Sequence, residues 1–199
     1  MRILIVGAGA VGGYFGGRLL AAGRDVTFLV RPARARALAS TGLVIRSPAA
    51  GDLSLDAPPT VLASALAAPF DLIVLSCKAY DLEDAIASLA PAVGPATAIL
   101  PLLNGMHHIE MLEERFGAGA VLGGVCEISS TLDSEGRIVH LNDRHMLAFG
   151  ELSGARSPQT EAVAAAFSGA RFEARLSAAI LQEMWEKWIF ITTLAGINC

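Results

Sequence analysis

Residues 1–23 read MRILIVGAGAVGGYFGGRLLAAG. A short apolar run at residues 3–6 meets Gly7 at once, and such a run bounded by glycine is a buried strand. Residues 10–23 then take helical spacing, with Val11, Phe15, Leu19 and Ala22 on one face and Gly23 as a natural stop. Between strand and helix, Gly7, Gly9 and Gly12 form GxGxxG. The first glycine permits a tight turn, the second lets backbone approach a pyrophosphate, and the third lets helix and strand pack closely. Ala8, Ala10 and Val11 complete the loop, whose free N–H groups and helix dipole suit phosphate. The pattern alone is weak; the strand before it, the helix after it and a second strand at the right distance strengthen it. Close packing through small residues is the rival explanation, and it is the role expected of Gly13, Gly16 and Gly17.

The second strand, residues 25–30, runs into Arg31. An NAD site usually places a carboxylate there for the ribose hydroxyls, and Asp25 is at the wrong end of the strand. A guanidinium can grip a 2′-phosphate with two hydrogen bonds, so Arg31 points to NADP(H), with Arg34 as a helper. The alternative is a solvated basic start to the next helix.

Strand and helix signals alternate through residues 25–116 with short connections, which predicts a parallel sheet covered by helices. Residues 43–62 carry too many turn residues for a long helix and read as short strands and loops. Residues 120–152 read as strands and hairpins, with DSEG at 133–136 as a turn. Residues 157–170 return to helix, and the run after Phe172 is helix-compatible throughout. The expected fold class is α/β: a doubly wound parallel sheet with added antiparallel strands, then the start of a helical second domain. The expected division is 1–172 and 173–199.

A net charge of -4 argues against a nucleic-acid surface, and the basic run RPARAR at 31–36 suits one phosphate better than a polymer. No stretch has the length and apolarity of a membrane span, and no secretory signal is recognisable. Cys77, Cys126 and Cys199 lack CxxC spacing, which fits a reducing cytoplasm and no metal site. His107, His108, His140 and His145 show no ligand spacing.

Lys78 follows the buried strand of residues 70–75, and Asn104 follows that of 97–101; ligands bind at such carboxyl ends. A surface lysine and a turn-forming Asn-Gly are the plain alternatives. Lys187 sits between Trp185 and Trp188 in a strongly apolar helix. It either snorkels, pairs with Glu183 one turn earlier, or stands in a partly dry site as an acid.

Taken in order, GAGAVGGYFG at 7–16, VRP at 30–32, SCKAYD at 76–81, LLNGM at 102–106, FGEL at 149–152 and WEKW at 185–188 resemble the ketopantoate reductase family (2-dehydropantoate 2-reductases) across the whole chain. The resemblance implies a Rossmann domain followed by a helical domain, with the active site between them. It implies reduction of 2-dehydropantoate by NADPH in pantothenate and coenzyme A biosynthesis. Carried over, Gly7, Gly9 and Gly12 hold the pyrophosphate and Arg31 the 2′-phosphate. Lys78 and Asn104 line the cofactor and substrate cleft, and Lys187 is the general acid.

The family often has asparagines one and two turns beyond its lysine, where this chain has Ile191 and Ala195. Asn198 is on the lysine face but about 16 Å along the axis. That leaves open a more apolar 2-oxo acid as substrate, or a non-catalytic dinucleotide sensor. The family's helical domain is longer than residues 173–199 and carries a serine and a glutamate near the substrate. This chain alone is therefore expected to bind NADPH but to reduce ketopantoate poorly. The exposed WIFI at 188–191 needs a cover, and a homodimer is one way to provide it.

Overall fold

The computed structural model describes residues 1–197; Asn198 and Cys199 lie outside the described residues. Its centre is a five-stranded parallel sheet. β1 (Arg2–Val6) is flanked by β2 (Asp25–Leu29) and β6 (Leu72–Leu75), with β5 (Thr60–Val61) and β7 (Ala98–Pro101) at the edges. All four pairings are parallel, in the order β5-β2-β1-β6-β7. Chain direction reverses its winding between β1 and β6, and in such sheets the ligand crevice opens at that switch point. The strands read as unbroken apolar runs because both faces are covered. Residues 3–6 of β1 and all of β6 are buried.

A second sheet contains β3 (Leu43–Arg46), β4 (Leu53–Leu55), β8 (Leu122–Leu132), β9 (Ile138–Glu151) and β10 (Glu173–Leu176). It follows the order β10-β9-β3-β4, with β8 pairing β9. β8 and β9 form a long antiparallel hairpin, irregular between Ile128 and Ser130, and closed by the turn expected at DSEG. A parallel bridge from Ile99 to Val121 links the first sheet to the start of this hairpin.

The glycine-rich helix α1 (Ala10–Ala21) lies between the sheets. A Cβ on Gly16 would meet Phe28 at 2.6 Å and Ile5 at 2.9 Å on the first sheet. One on Gly17 would meet Leu43 and Ile45 at 2.9 Å, and one on Gly13 would meet Ile138 at 2.6 Å, on the second. The surplus glycines thus allow one helix to pack against two sheets. Two polar side chains of α1 reach partners outside the helix. Arg18, 2 % exposed, donates to the carbonyls of Ala50 and Gly51, and the Tyr14 hydroxyl bonds His145 Nδ1 at 2.7 Å.

The outer layers are α2 (Pro32–Thr41), α3 (Leu82–Leu89), α4 (His107–Phe116), α5 (Pro158–Phe167) and α6 (Ile180–Ile197). Ser157 and Thr160 form a reciprocal capping box at the start of α5. The run after Phe172 departs from the uniform helix expected of it. Glu173–Leu176 form β10, parallel to β9, and helix begins only at Ile180. Of α6, Ile180 and Met184 are buried, while Trp185, Ile189, Phe190, Leu194 and Ile197 are exposed. Among the described residues, no helix is long and apolar enough to cross a membrane, and no group of three or more His, Cys, Asp and Glu could hold a metal ion.

Candidate active site

The chain leaves β1 through Gly7, whose φ of +95° is left-handed backbone that a side chain would strain. The Gly7 amide donates to the Leu29 carbonyl at 2.9 Å, tying the loop to β2. A Cβ on Gly12 would overlap both Ser76 Oγ and the Gly7 carbonyl. A Cβ on Gly9 would meet nothing within 4 Å. The third glycine is therefore required by packing, while the second faces open space. Gly9 is also the N-cap of α1, with no side-chain cap and no acid in the first turn. The first-turn amides, from Ala10, Val11 and Gly12, are thus left for an incoming anion. An uncapped, acid-free helix start beside an open glycine fits the pyrophosphate of a dinucleotide.

Two residues hold this loop: Ser76, which the sequence did not mark, and Arg34, expected as a helper to Arg31. Ser76, just past the end of β6, donates from Oγ to the Val6 carbonyl at 2.8 Å and lies 3.3 Å from that of Gly7. Arg34 donates from Nε to the Ala8 carbonyl at 3.0 Å and from Nη1 towards the Gly136 carbonyl at 3.4 Å. Arg34 thus braces the loop against the β8–β9 turn; burial lowers its pKa, and its Nη2 has no partner.

Arg31 stands at the N-cap position of α2 without a side-chain capping bond, its side chain 70 % exposed at the sheet's carboxyl edge. Its Nη2 pairs with Asp81 Oδ1 at 2.7 Å, a contact that raises its pKa. Lys78 is exposed in the turn after β6, and its carbonyl accepts from the Asp81 amide at 2.9 Å.

Asn104 and Lys187 come together elsewhere. They line one cleft with Leu103, Gly105, Gly124, Met184 and Ile191. Lys78 is not among the residues lining that cleft. Lys187 Nζ donates to the Cys126 carbonyl of β8 at 2.8 Å. Desolvation lowers its pKa below the usual 10.5, against the opposing pull of Cys126 and Glu127. It does not pair with Glu183, which is committed to Arg175 at 2.6 and 2.9 Å and to Ser177. The lysine is therefore a half-dry ammonium fixed to backbone, with donors left for another acceptor.

His108, in the first turn of α4, is 3 % exposed, and its Nε2 has no partner. Burial, with help from His107 and Lys187, lowers its pKa from 6.5 to about 4. Between those values the unfolded chain binds a proton that the folded chain does not, so stability rises with pH there. The stability is present above pH 6.5 and is lost towards pH 4, by roughly 3 kcal/mol at most. Urea melts at pH 7 and pH 4.5 should show this loss in the wild type and a smaller one in His108→Phe.

A Rossmann-ordered sheet with an anion-ready glycine loop at its switch point, and a lysine fixed in a cleft between hairpin and helix, define the class: an α/β fold of the dinucleotide-binding type. Comparison with known proteins narrows it. The description "Ketopantoate reductase PanE/ApbA" matches residues 3–154, and the chain belongs to the ketopantoate reductase family. It is 43 % identical over 198 residues to the "uncharacterized oxidoreductase YkpB" of Bacillus subtilis, covering 100 % of this chain and 64 % of that one. It is 31 % identical to the 2-dehydropantoate 2-reductase of Pyrococcus horikoshii, covering 100 % and 63 %. The crystal structure of 2-dehydropantoate 2-reductase from Geobacter metallireducens superposes with a TM-score of 0.85 at 32 % identity, covering 94 % of this chain and 61 % of that one. The chain thus spans less than two thirds of the length of these relatives.

Proposed function

We propose that the chain carries the cofactor site and the acid lysine of an NADPH-dependent 2-oxo acid reductase, with 2-dehydropantoate as first candidate substrate. In this reading residues 1–172 form the core of the nucleotide-binding domain, and the segment 173–199 leads through β10 into the helical substrate domain. The carrying observation is Lys187: a half-dry ammonium anchored on the Cys126 carbonyl, facing the same cleft as Asn104.

The loop at Gly7, Gly9 and Gly12 with Ala8, Ala10 and Val11 would hold the pyrophosphate, and Arg31 the 2′-phosphate. NADPH, when bound, supplies the hydride. Negative charge then grows on the substrate's carbonyl oxygen. Lys187 stabilises that charge and gives the oxygen a proton from Nζ. Its lowered pKa makes it a better acid near neutrality than a solvated lysine. The Cys126 carbonyl orients Nζ, and the Asn104 amide offers a donor to the substrate's carboxylate. Because Lys187 must start protonated, activity should fall on the alkaline side, with an apparent pKa below 10.5. The proposed setting is cytoplasmic pantothenate biosynthesis.

Ile191 lines the cleft beside Lys187, and this favours a second reading: a 2-oxo acid with a more apolar side chain. The test is kcat/KM with NADPH for a panel of 2-oxo acids, on the protein at its full family length. A preference for ketopantoate supports the first reading, and a preference for an apolar homologue selects the second. Reduction of none refutes both.

A further inference from the structure

We propose that Asp81 sets the nucleotide preference of this site by engaging the guanidinium that a 2′-phosphate needs. The inference rests on the reading of Arg31 as the 2′-phosphate ligand.

Arg31 lies just beyond β2 and Asp81 in the turn after β6, the two strands that flank β1. Their 2.7 Å ion pair therefore reaches across the carboxyl end of β1, where the glycine loop begins. Asp84 adds a second carboxylate at 3.9 Å from the same nitrogen. An exposed pair of this kind contributes little to folding, and Arg31 is 70 % exposed, so stability does not account for it. Its position at the nucleotide crevice does.

The two cofactors differ at the group that Arg31 meets. A 2′-phosphate is an anion that competes with the Asp81 carboxylate for the guanidinium fork and is repelled by it. A ribose 2′-hydroxyl is neutral and donates to a carboxylate, the service that an acid at the end of β2 usually performs in NAD sites. Asp81 supplies that carboxylate instead, from the turn after β6 on the far side of β1. Arg31 favours NADPH, Asp81 offsets part of that preference, and the wild-type chain accepts both nucleotides. Asp84, with its side chain 85 % exposed, is better screened and plays the smaller part.

The test is titration of the 199-residue chain with NADPH and with NADH, followed by nicotinamide fluorescence. Asp81→Asn should raise the ratio of NADPH to NADH affinity about tenfold, as expected for removing a like charge a few ångströms from the phosphate. Asp81→Ser should do the same, and far-UV circular dichroism checks that both variants are folded. A ratio that stays level or falls in both would overturn the proposal, since Asp81 would then be inert or would be presenting Arg31 to the phosphate. Arg31→Ala separates the two layers. If it leaves NADPH affinity unchanged, the reading of Arg31 fails. If it weakens NADPH while the Asp81 variants change nothing, only the present inference fails.

Discussion

Replacing Lys187 with alanine is expected to lower kcat for 2-oxo acid reduction by about 10²- to 10⁴-fold, the usual contribution of a placed general acid. The protein to use is the one of full family length, and nucleotide affinity should stay unchanged. The split matters because Lys187 sits on the Cys126 carbonyl in the cleft with Asn104, away from the glycine loop. A loss confined to kcat marks an interaction made with the developing oxyanion. Lys187→Arg keeps the positive charge but surrenders its proton far less readily. It should therefore recover part of the electrostatic stabilisation and little of the proton transfer. Turnover of Lys187→Ala within threefold of wild type would remove the lysine from the mechanism.

Gly12→Ala is expected to abolish nucleotide binding and to destabilise the fold. The added methyl has no room, because it overlaps Ser76 Oγ and the Gly7 carbonyl together. The serine can turn away, but the backbone carbonyl cannot move without dragging the loop from β1. Overpacking of this kind costs about 1–3 kcal/mol. The double variant with Ser76→Gly removes one overlap and leaves the other, so it should recover stability in part and binding hardly at all. Thermal melts with and without NADPH read both effects. Gly9→Ala, with open space around its Cβ, should keep the melting temperature of the apoprotein. Equal tolerance of alanine at positions 12 and 9 would contradict this account of the loop.

What the sequence makes legible here is local. The strand–glycine–helix unit, the second strand ending at Arg31 and the turn at DSEG all follow from period and turn chemistry over a few residues. The contacts that complete the site join residues far apart. Ser76 reaches the Val6 carbonyl across 70 positions, and Arg34 joins Ala8 to Gly136. Nothing in SCK or RPARAR announces those partners, because a side chain's partner depends on which strands become neighbours. The same holds for Arg31: its charge is plain in the sequence, but the Asp81 carboxylate beside it is not. β10 shows the limit for backbone. The four residues of EARL carry no strong strand signal, and pairing along β9 draws them into the sheet. For Lys187, an i−4 glutamate suggests a helix ion pair, yet Arg175 claims Glu183 from the preceding strand. The surplus glycines of α1 are apparent in the sequence as small residues. Only the second sheet explains why the helix needs them on two sides.

The proposed function depends on binding of NADPH through the glycine loop and Arg31. Calorimetric titration of the 199-residue chain with NADPH tests it most directly. Saturable binding at one site per chain is expected, lost in Gly9→Asp, which puts a carboxylate where the pyrophosphate would lie, and weakened in Arg31→Ala. Absence of binding to the folded wild-type chain, or binding indifferent to both substitutions, would contradict it.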